Sequence, residues 1–151
     1  MFRRTLPYFT PLMRVIPAVH LAVYRLTNGR LSAKLAGQKM LLLTTIGRRT
    51  GKPRTVPLLY VDDGEAMVVI GSNWGGNKHP QWVRNLAANP AARVQVGARK
   101  RRVTSRMATG EERARLWTLV TGQYPGYKAY ARRIGSAREI PLVVLTPRTA
   151  A

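Results

Sequence analysis

The segment from Met40 to Val61 narrows the possible folds more than any other part of the chain. It holds a largely apolar run, Met40-Leu41-Leu42-Leu43-Thr44-Thr45-Ile46, then Gly47-Arg48-Arg49-Thr50-Gly51-Lys52-Pro53, then a second run from Arg54 to Val61. An apolar run of this length closed by glycine reads as a buried strand, and the two glycines with Pro53 force a tight turn. The chain then returns as a second strand, in which Pro57 signals an edge position or a bulge. Asp62-Asp63-Gly64-Glu65 follows as a hairpin signal, with Asp-Gly suited to a type I′ turn, and Ala66 to Gly71 forms a third strand.

The remaining pieces fit the same plan. Ser72 to His79 is a polar loop ending at Pro80, a good first helical residue, and a short helix runs from Gln81 to Ala88. Arg93–Val96 and Lys100–Met107 are strands around Gly97. Thr109-Gly-Glu-Glu112 is a capping box that opens a helix reaching Thr121. A second helical stretch starts at Tyr124-Pro125, and Leu142 to Leu145 is the last strand. About six strands, several joined by hairpin turns and interrupted by helices, predict an α+β fold built on an antiparallel barrel.

Ahead of this region, residues 12–27 read as a helix whose surface is mostly apolar, with Arg14 and Arg25 on nearly the same side. It is suited either to capping the core or to lying on an anionic bilayer. The division expected is an N-terminal helical unit over 1–30 and a barrel domain over 31–151. Pro11, Arg14, Pro17 and His20 interrupt any signal-peptide core, and no run of about 18 apolar residues exists to span a membrane.

Charge sets the class of ligand. The chain carries 26 Lys and Arg against 6 Asp and Glu, a formal charge of +20, and nothing acidic precedes Asp62. Such a field draws anions: nucleic acid, acidic lipid, or a small ligand with several negative charges. No zinc-finger, RNP or helix-turn-helix pattern supports nucleic acid, which would bind with a steep salt dependence. Arg99-Lys100-Arg101-Arg102 lies on a strand and reads as a solvated edge that discourages sheet aggregation. The turn from Gly47 to Arg54 is the point where four cations and several N–H groups converge. It is open to two readings, an anion cradle and a solvated basic hairpin turn. It is not a Walker A loop, because its glycines are too close and Pro53 stands where a Mg²⁺-binding hydroxyl is needed.

Side-chain chemistry is sparse. With no cysteine, two histidines and six acids, metal centres and acid–base dyads are not expected, so an enzyme of this composition needs a bound cofactor for difficult chemistry. His79 reads as a loop hydrogen-bonding residue. Asn85, on the apolar side of a short helix with Trp82 and Leu86, is a buried amide that must bind a ligand or tie down a loop. Tyr124, Tyr127 and Tyr130 can line an aromatic slot or pack as an ordinary amphipathic face.

The order of these pieces resembles the deazaflavin-dependent nitroreductase family, a branch of the split β-barrel flavin-like oxidoreductases. The matching segments are Leu43 to Gly51, Arg54, Pro57-Leu58, Ser72, Gly75-Gly76, Lys78, Pro80, Trp82, Asn85-Leu86, Asn89-Pro90, Glu111-Glu112 and Tyr124-Pro125 with Tyr127 and Tyr130. The resemblance implies a split antiparallel β-barrel of the FMN-binding type with flanking helices, and reduced coenzyme F-420, an 8-hydroxy-5-deazaflavin, as hydride donor, with FMN as the alternative cofactor. The coenzyme's phosphate and acidic tail are implied to lie on Arg48, Arg49, Thr50, Lys52 and Arg54. Its ring is implied to lie near Thr55, Val56, Pro57, Leu58 and Leu59, near Ile70, Gly71, Ser72 and Asn73 with Lys78, and against Gln81, Trp82, Val83, Arg84 and Asn85. Ser72 and the tyrosines Tyr124, Tyr127 and Tyr130 are implied to face the electron acceptor, a menaquinone-like quinone or a nitroaromatic. The family tyrosine expected directly after Pro57-Leu58 is here Leu59, with Tyr60 next, on the opposite face of the strand. A cytoplasmic protein touching the inner face of the membrane through residues 1–30 is the implied location. A non-catalytic coenzyme carrier is the other reading of the same binding residues.

Overall fold

The computed structural model describes residues 34, 35 and 38–149. The helix expected over 12–27, and with it the unit 1–30, lies outside the described residues. The elements are β1 (Lys34–Leu35), β2 (Gln38–Ile46), β3 (Pro53–Asp63), β4 (Ala66–Ile70), a 3₁₀ turn (Asn73–Gly75), α1 (Gln81–Ala88), β5 (Ala91–Val96), β6 (Arg99–Met107), α2 (Gly110–Gln123), α3 (Gly126–Ile134) and β7 (Leu142–Pro147). All strand pairings are antiparallel, in the order β1-β2-β3-β4-β7-β6-β5, and a further pairing of β2 with β5 closes β2 to β7 into a six-stranded barrel.

Strand alternation divides the apolar residues between two cores. Leu41 and Leu43 of β2, Tyr60 of β3, Met67 and Val69 of β4, and Val143 and Leu145 of β7 fill the barrel with Trp82, Val83 and Leu86 of α1. The intervening residues Val61, Val68, Ile70, Leu142 and Val144 face outward beneath α2 and α3, against Leu116, Val120, Tyr124, Tyr127 and Ile134. Strands buried on both faces lack the polar alternation of a half-solvated sheet, which is why β4 and β7 read as continuous apolar runs. Leu59 packs in the outer layer and Tyr60 in the barrel, on opposite faces as the one-residue offset requires.

Three local details differ from the sequence expectation. The hairpin after β3 pairs Asp63 with Ala66, so its two-residue loop is Gly64-Glu65, with Gly64 at φ 62° in the first position. That is the pattern of a type II′ turn rather than the expected type I′. Thr109 stands at the start of α2, but its side chain makes no capping bond. Glu112 turns instead to Arg106 on β6, accepting from both terminal guanidinium nitrogens. A bidentate charged pair outcompetes the neutral reciprocal bond of a capping box. Gly71 falls outside β4, its N–H donating to the Pro141 carbonyl at 2.9 Å, and only glycine fits there: a Cβ would lie 2.6 Å from Pro141 Cγ and 3.0 Å from Val83.

Pro57 occupies an edge. β3 pairs with β2 from Pro53 to Leu59, but with β4 only from Tyr60 to Asp63. The first half of β3 therefore has a strand on one side only, which accommodates a residue lacking an N–H. The free edge lies next to the basic turn, and this is where the main groove opens.

Candidate active site

The Gly47–Lys52 turn is rigid for identifiable reasons. Gly47 N–H donates to the Lys52 carbonyl and Gly51 N–H to the Gly47 carbonyl, both at 2.8 Å. Gly51 has φ 69°, and a Cβ on Gly47 would sit 2.8 Å from Thr50 Oγ1. Each glycine is fixed by its backbone angle or by close approach.

Asn85 ties this turn to the barrel and to α1. Its side chain is 4% exposed. Oδ1 accepts from the Arg48 main-chain N–H at 3.2 Å and from Arg48 Nη1 at 3.0 Å, while Nδ2 donates to the fully buried Thr45 Oγ1 at 3.1 Å. Arg48 Nη1 also donates to Gln81 Oε1 at 2.8 Å. Arg48 is thus a fixed wall of the groove, held by two residues one helical turn apart on α1. The buried amide expected to need partners spends its hydrogen bonds on the loop, the second of the two roles open to it.

The resulting groove has a volume of about 600 Å³, within the usual range for small-molecule sites. Cations stand along its rim at Arg48, Arg49 and Arg54, and its inner wall is apolar, with Val56 and Trp82. Among the described residues the ion pairs are Lys39–Asp62, Arg106–Glu112, Arg113–Glu139 and Arg115–Asp63, so none neutralises the turn. The acidic hairpin lies at the far end of the 11-residue strand β3, about 35 Å away at ~3.3 Å per residue. The positive field at the turn is therefore uncompensated, and a ligand with an apolar body and an anionic end matches the groove.

The residues named from the sequence fall into separate places. Arg48, Arg49, Thr50, Arg54, Thr55, Val56, Gln81, Trp82 and Asn85 share this groove, joined by Gly47 and Pro53 of the same turn and by Thr45, which sequence reasoning missed. Thr45 carried a signal: it has the parity of Leu41 and Leu43 on β2, so a polar side chain had to find a partner inside. Lys52 is exposed beside the turn. Leu58 and Val83 pack in the barrel core, and Leu59 and Ile70 in the outer layer. Pro57 and Arg84 are half-buried on β3 and α1.

Gly71, Ser72, Asn73 and Lys78 belong to the loop between β4 and α1. Asn73, at φ 46°, donates from Nδ2 to the Lys78 carbonyl at 2.9 Å, closing the loop on itself. Gly75 lies against α3, where a Cβ would meet Tyr130 at 3.2 Å and Arg133 at 3.3 Å. His79 is half-buried, and Arg138 Nη1 lies 3.1 Å from its Nδ1. Arginine only donates, so Nδ1 must accept. Burial, then the charges of Arg138 and Arg84, hold the imidazole pKa below its ordinary value and keep the ring neutral.

The tyrosines form a stack on the outer layer. Tyr124 and Tyr127 have ring centroids 6.1 Å apart and Tyr127 and Tyr130 5.9 Å apart, both edge-to-face. Tyr124 Oη donates to the Tyr60 carbonyl at 3.3 Å and accepts from Lys39 N–H at 3.3 Å and Gln123 Nε2 at 3.1 Å, so its hydroxyl is committed to the fold. The Tyr127 hydroxyl makes no hydrogen bond among the described residues. Burial, with smaller contributions from Tyr130 and Tyr124, raises its pKa well above the ordinary phenol value. A second cavity, of about 560 Å³, lies beside Trp117 between α2 and the segment after α3. Its Arg113 and Glu139 are paired with each other. No metal-binding group of His, Asp or Glu occurs among the described residues.

Comparison with known proteins converges on one family. Residues 17–147 match the family model described as F420H(2)-dependent quinone reductase. An F420H(2)-dependent quinone reductase of Mycobacterium tuberculosis is 39% identical over 134 residues, covering 86% of this chain and 89% of that protein. A second M. tuberculosis relative, a putative F420H(2)-dependent quinone reductase, is 37% identical over 108 residues, covering 72% and 89%. The solved structure of an F420-H2 dependent reductase (FDR-A) superposes with a TM-score of 0.64 at 36% identity, covering 70% of this chain and 92% of that one. A putative pyridoxamine 5'-phosphate oxidase from Listeria innocua, 13% identical with a TM-score of 0.52, shares the fold alone. A barrel with an uncompensated cationic groove, matched over most of its length by these reductases, places the chain in the F420H(2)-dependent quinone reductase family.

Proposed function

We propose that this protein is an oxidoreductase that uses reduced coenzyme F-420 to reduce a quinone. The observation that carries the reading is the groove at the Gly47–Arg54 turn, with unpaired cations on its rim and an apolar wall within, in a chain of this family. When bound, the coenzyme supplies a hydride, and a quinone becomes a quinol by taking that hydride and one proton. The protein's share is to bind, orient and shield.

Arg49, Lys52 and Arg54 hold the phosphate and acidic tail, while Arg48, fixed by Gln81 and Asn85, completes the cradle. Val56 and Trp82 give the ring an apolar wall. Thr55 is half-buried next to the open edge of β3, where Thr44 Oγ1 and Thr55 Oγ1 are 2.8 Å apart. At the acceptor side the tyrosines divide the work. Tyr124 braces the fold, Tyr130 packs on Gly75, and Tyr127 holds an unshared proton at its Oη. Burial keeps this phenol protonated, so it donates a hydrogen bond to a developing quinol oxygen without ionising, and the proton that completes the quinol comes from solvent. Steady-state oxidation of the coenzyme by menadione tests this assignment. Tyr127→Phe is expected to lower kcat about 10-fold with coenzyme affinity unchanged. An unaltered kcat removes Tyr127 from the reaction. A nitroaromatic assayed beside menadione determines whether acceptor choice extends beyond quinones.

The N-terminal 1–30 segment, apolar and edged with arginine, is the part suited to an anionic bilayer, where a lipid quinone is met. Among the described residues no helix is long and apolar enough to cross a membrane. Full-length protein is expected to float with vesicles rich in anionic lipid, and a variant lacking residues 1–30 to stay behind. Equal flotation of the two excludes this segment as the contact.

A further inference from the structure

Arg138 lies between α3 and β7, and sequence reasoning passed over it as one arginine among many. Its guanidinium is spent entirely on the loop between β4 and α1. Nε donates to the Gly76 carbonyl at 2.9 Å, Nη2 to the Ser72 carbonyl at 2.7 Å, and Nη1 to the Gly71 carbonyl at 2.9 Å and His79 Nδ1 at 3.1 Å. One side chain thereby grips the loop at its start, its middle and its end. The contacts also lead into the anion groove. His79 is followed by Pro80, whose carbonyl accepts the first helical bonds of α1 from Val83 and Arg84, and then by Gln81, which holds Arg48. A shift of His79 therefore moves the start of α1, and with it one wall of the groove.

We infer that Arg138 is a positioning residue for coenzyme binding, and that a proton on His79 releases part of its grip. The inference rests on the functional reading above for the ligand, but the clamp itself is a property of this chain. A protonated Nδ1 would point an N–H at the Arg138 N–H, turning a hydrogen bond into a repulsion between two cations. The charged groups facing the imidazole are Arg138 from the segment before β7 and Arg84 from α1, and both disfavour that proton. Because the folded-state pKa lies below that of the unfolded chain, the stabilisation is complete above the ordinary histidine pKa of about 6.5 and is lost as the pH falls through the folded value. Lysine cannot replace the guanidinium, since a single ammonium cannot span acceptors at both ends of the loop.

The test compares wild type, Arg138→Lys and His79→Asn by amide hydrogen exchange without coenzyme, and by coenzyme titration from pH 7.5 to 5.5. Arg138→Lys is expected to speed exchange at Gly71, Gly75, Gly76, Val83 and Arg84 about 10-fold or more, the loss of charged hydrogen bonds from a local structure, while the β4–β7 ladder keeps its protection. It is also expected to weaken coenzyme binding about 10-fold at pH 7.5. Wild type should lose affinity on acidification, and His79→Asn, whose amide oxygen accepts from Arg138 without titrating, should lose less. Unchanged exchange in Arg138→Lys, or faster exchange spread evenly over the barrel, overturns the clamp. Equal acid sensitivity of wild type and His79→Asn overturns the role of the proton. If no form of the protein binds the coenzyme, the functional reading fails, and the exchange data still decide whether Arg138 holds the loop.

Discussion

Replacing Asn85 with leucine is expected to destabilise the protein by about 3 kcal/mol and to abolish tight coenzyme binding, the largest effect of any single change at the site. Leucine keeps the branched outline of asparagine and leaves no void, so the loss comes from polar groups rather than from a cavity. Thr45 Oγ1, fully buried, loses its donor, and the Arg48 main-chain N–H loses its acceptor at the same time. An unsatisfied buried group costs roughly 1–3 kcal/mol. For a domain of this size the midpoint of thermal unfolding should fall by about 8 °C. Coenzyme binding suffers because the turn loses its buried tie to α1: the Arg48 guanidinium retains only Gln81, at the exposed start of that helix. Calorimetry of Asn85→Leu, Thr45→Val and the double variant checks the assignment. The double variant should lose about 1 kcal/mol less than the sum of the single losses, because the second change removes the group that the first left unpaired. Strict additivity contradicts the direct bond.

The second large effect is on binding alone. Arg49→Ala combined with Arg54→Ala should weaken coenzyme binding about 30-fold, at about 1 kcal/mol for each partly solvated contact with an anion. Both side chains are exposed and neither has an acidic partner among the described residues, so the folded state loses nothing and the thermal midpoint should hold or rise slightly as like charges are removed. Arg48 is left untouched because its guanidinium is structural as well as cationic. Turnover at saturating coenzyme should stay within about twofold of wild type, since these groups bind ground state and transition state alike. Raising the ionic strength from 0.05 to 0.5 M should weaken wild-type binding more than that of the double variant, because screening acts on the charges removed. A fall in kcat with unchanged affinity would place these arginines in the reaction instead of the anchor.

Much of the barrel was legible because its signals are local. The run before Gly47, the paired glycines of the turn and the Asp-Gly step each act within a few residues. The position of Pro57 on a half-paired strand follows from proline's missing N–H. What failed turned on which of several nearby partners wins, a competition that residue types alone do not settle. The turn type at Gly64 depends on the pairing of Asp63 with Ala66, and the capping box at Thr109 gave way to Arg106 on a neighbouring strand. The site shows the same division. A cationic, glycine-rich turn and an amide on an apolar helix face mark themselves, because each demands a partner. Thr45 could have been found by counting parity along β2. Arg138 could not, since nothing in its local sequence separates it from the other cations of a chain carrying 26 Lys and Arg.

The central claim is that the groove at the basic turn holds reduced coenzyme F-420 for delivery to a quinone. Titration of the full-length protein with the coenzyme, followed through quenching of tryptophan emission with Trp82 on the groove wall, tests it most directly. Saturable binding with a micromolar or lower Kd that weakens with salt, is lost in Asn85→Leu and supports coenzyme oxidation by menadione is the predicted result. No binding at micromolar coenzyme, or binding unchanged in both Asn85→Leu and the Arg49/Arg54 double variant, would contradict the account.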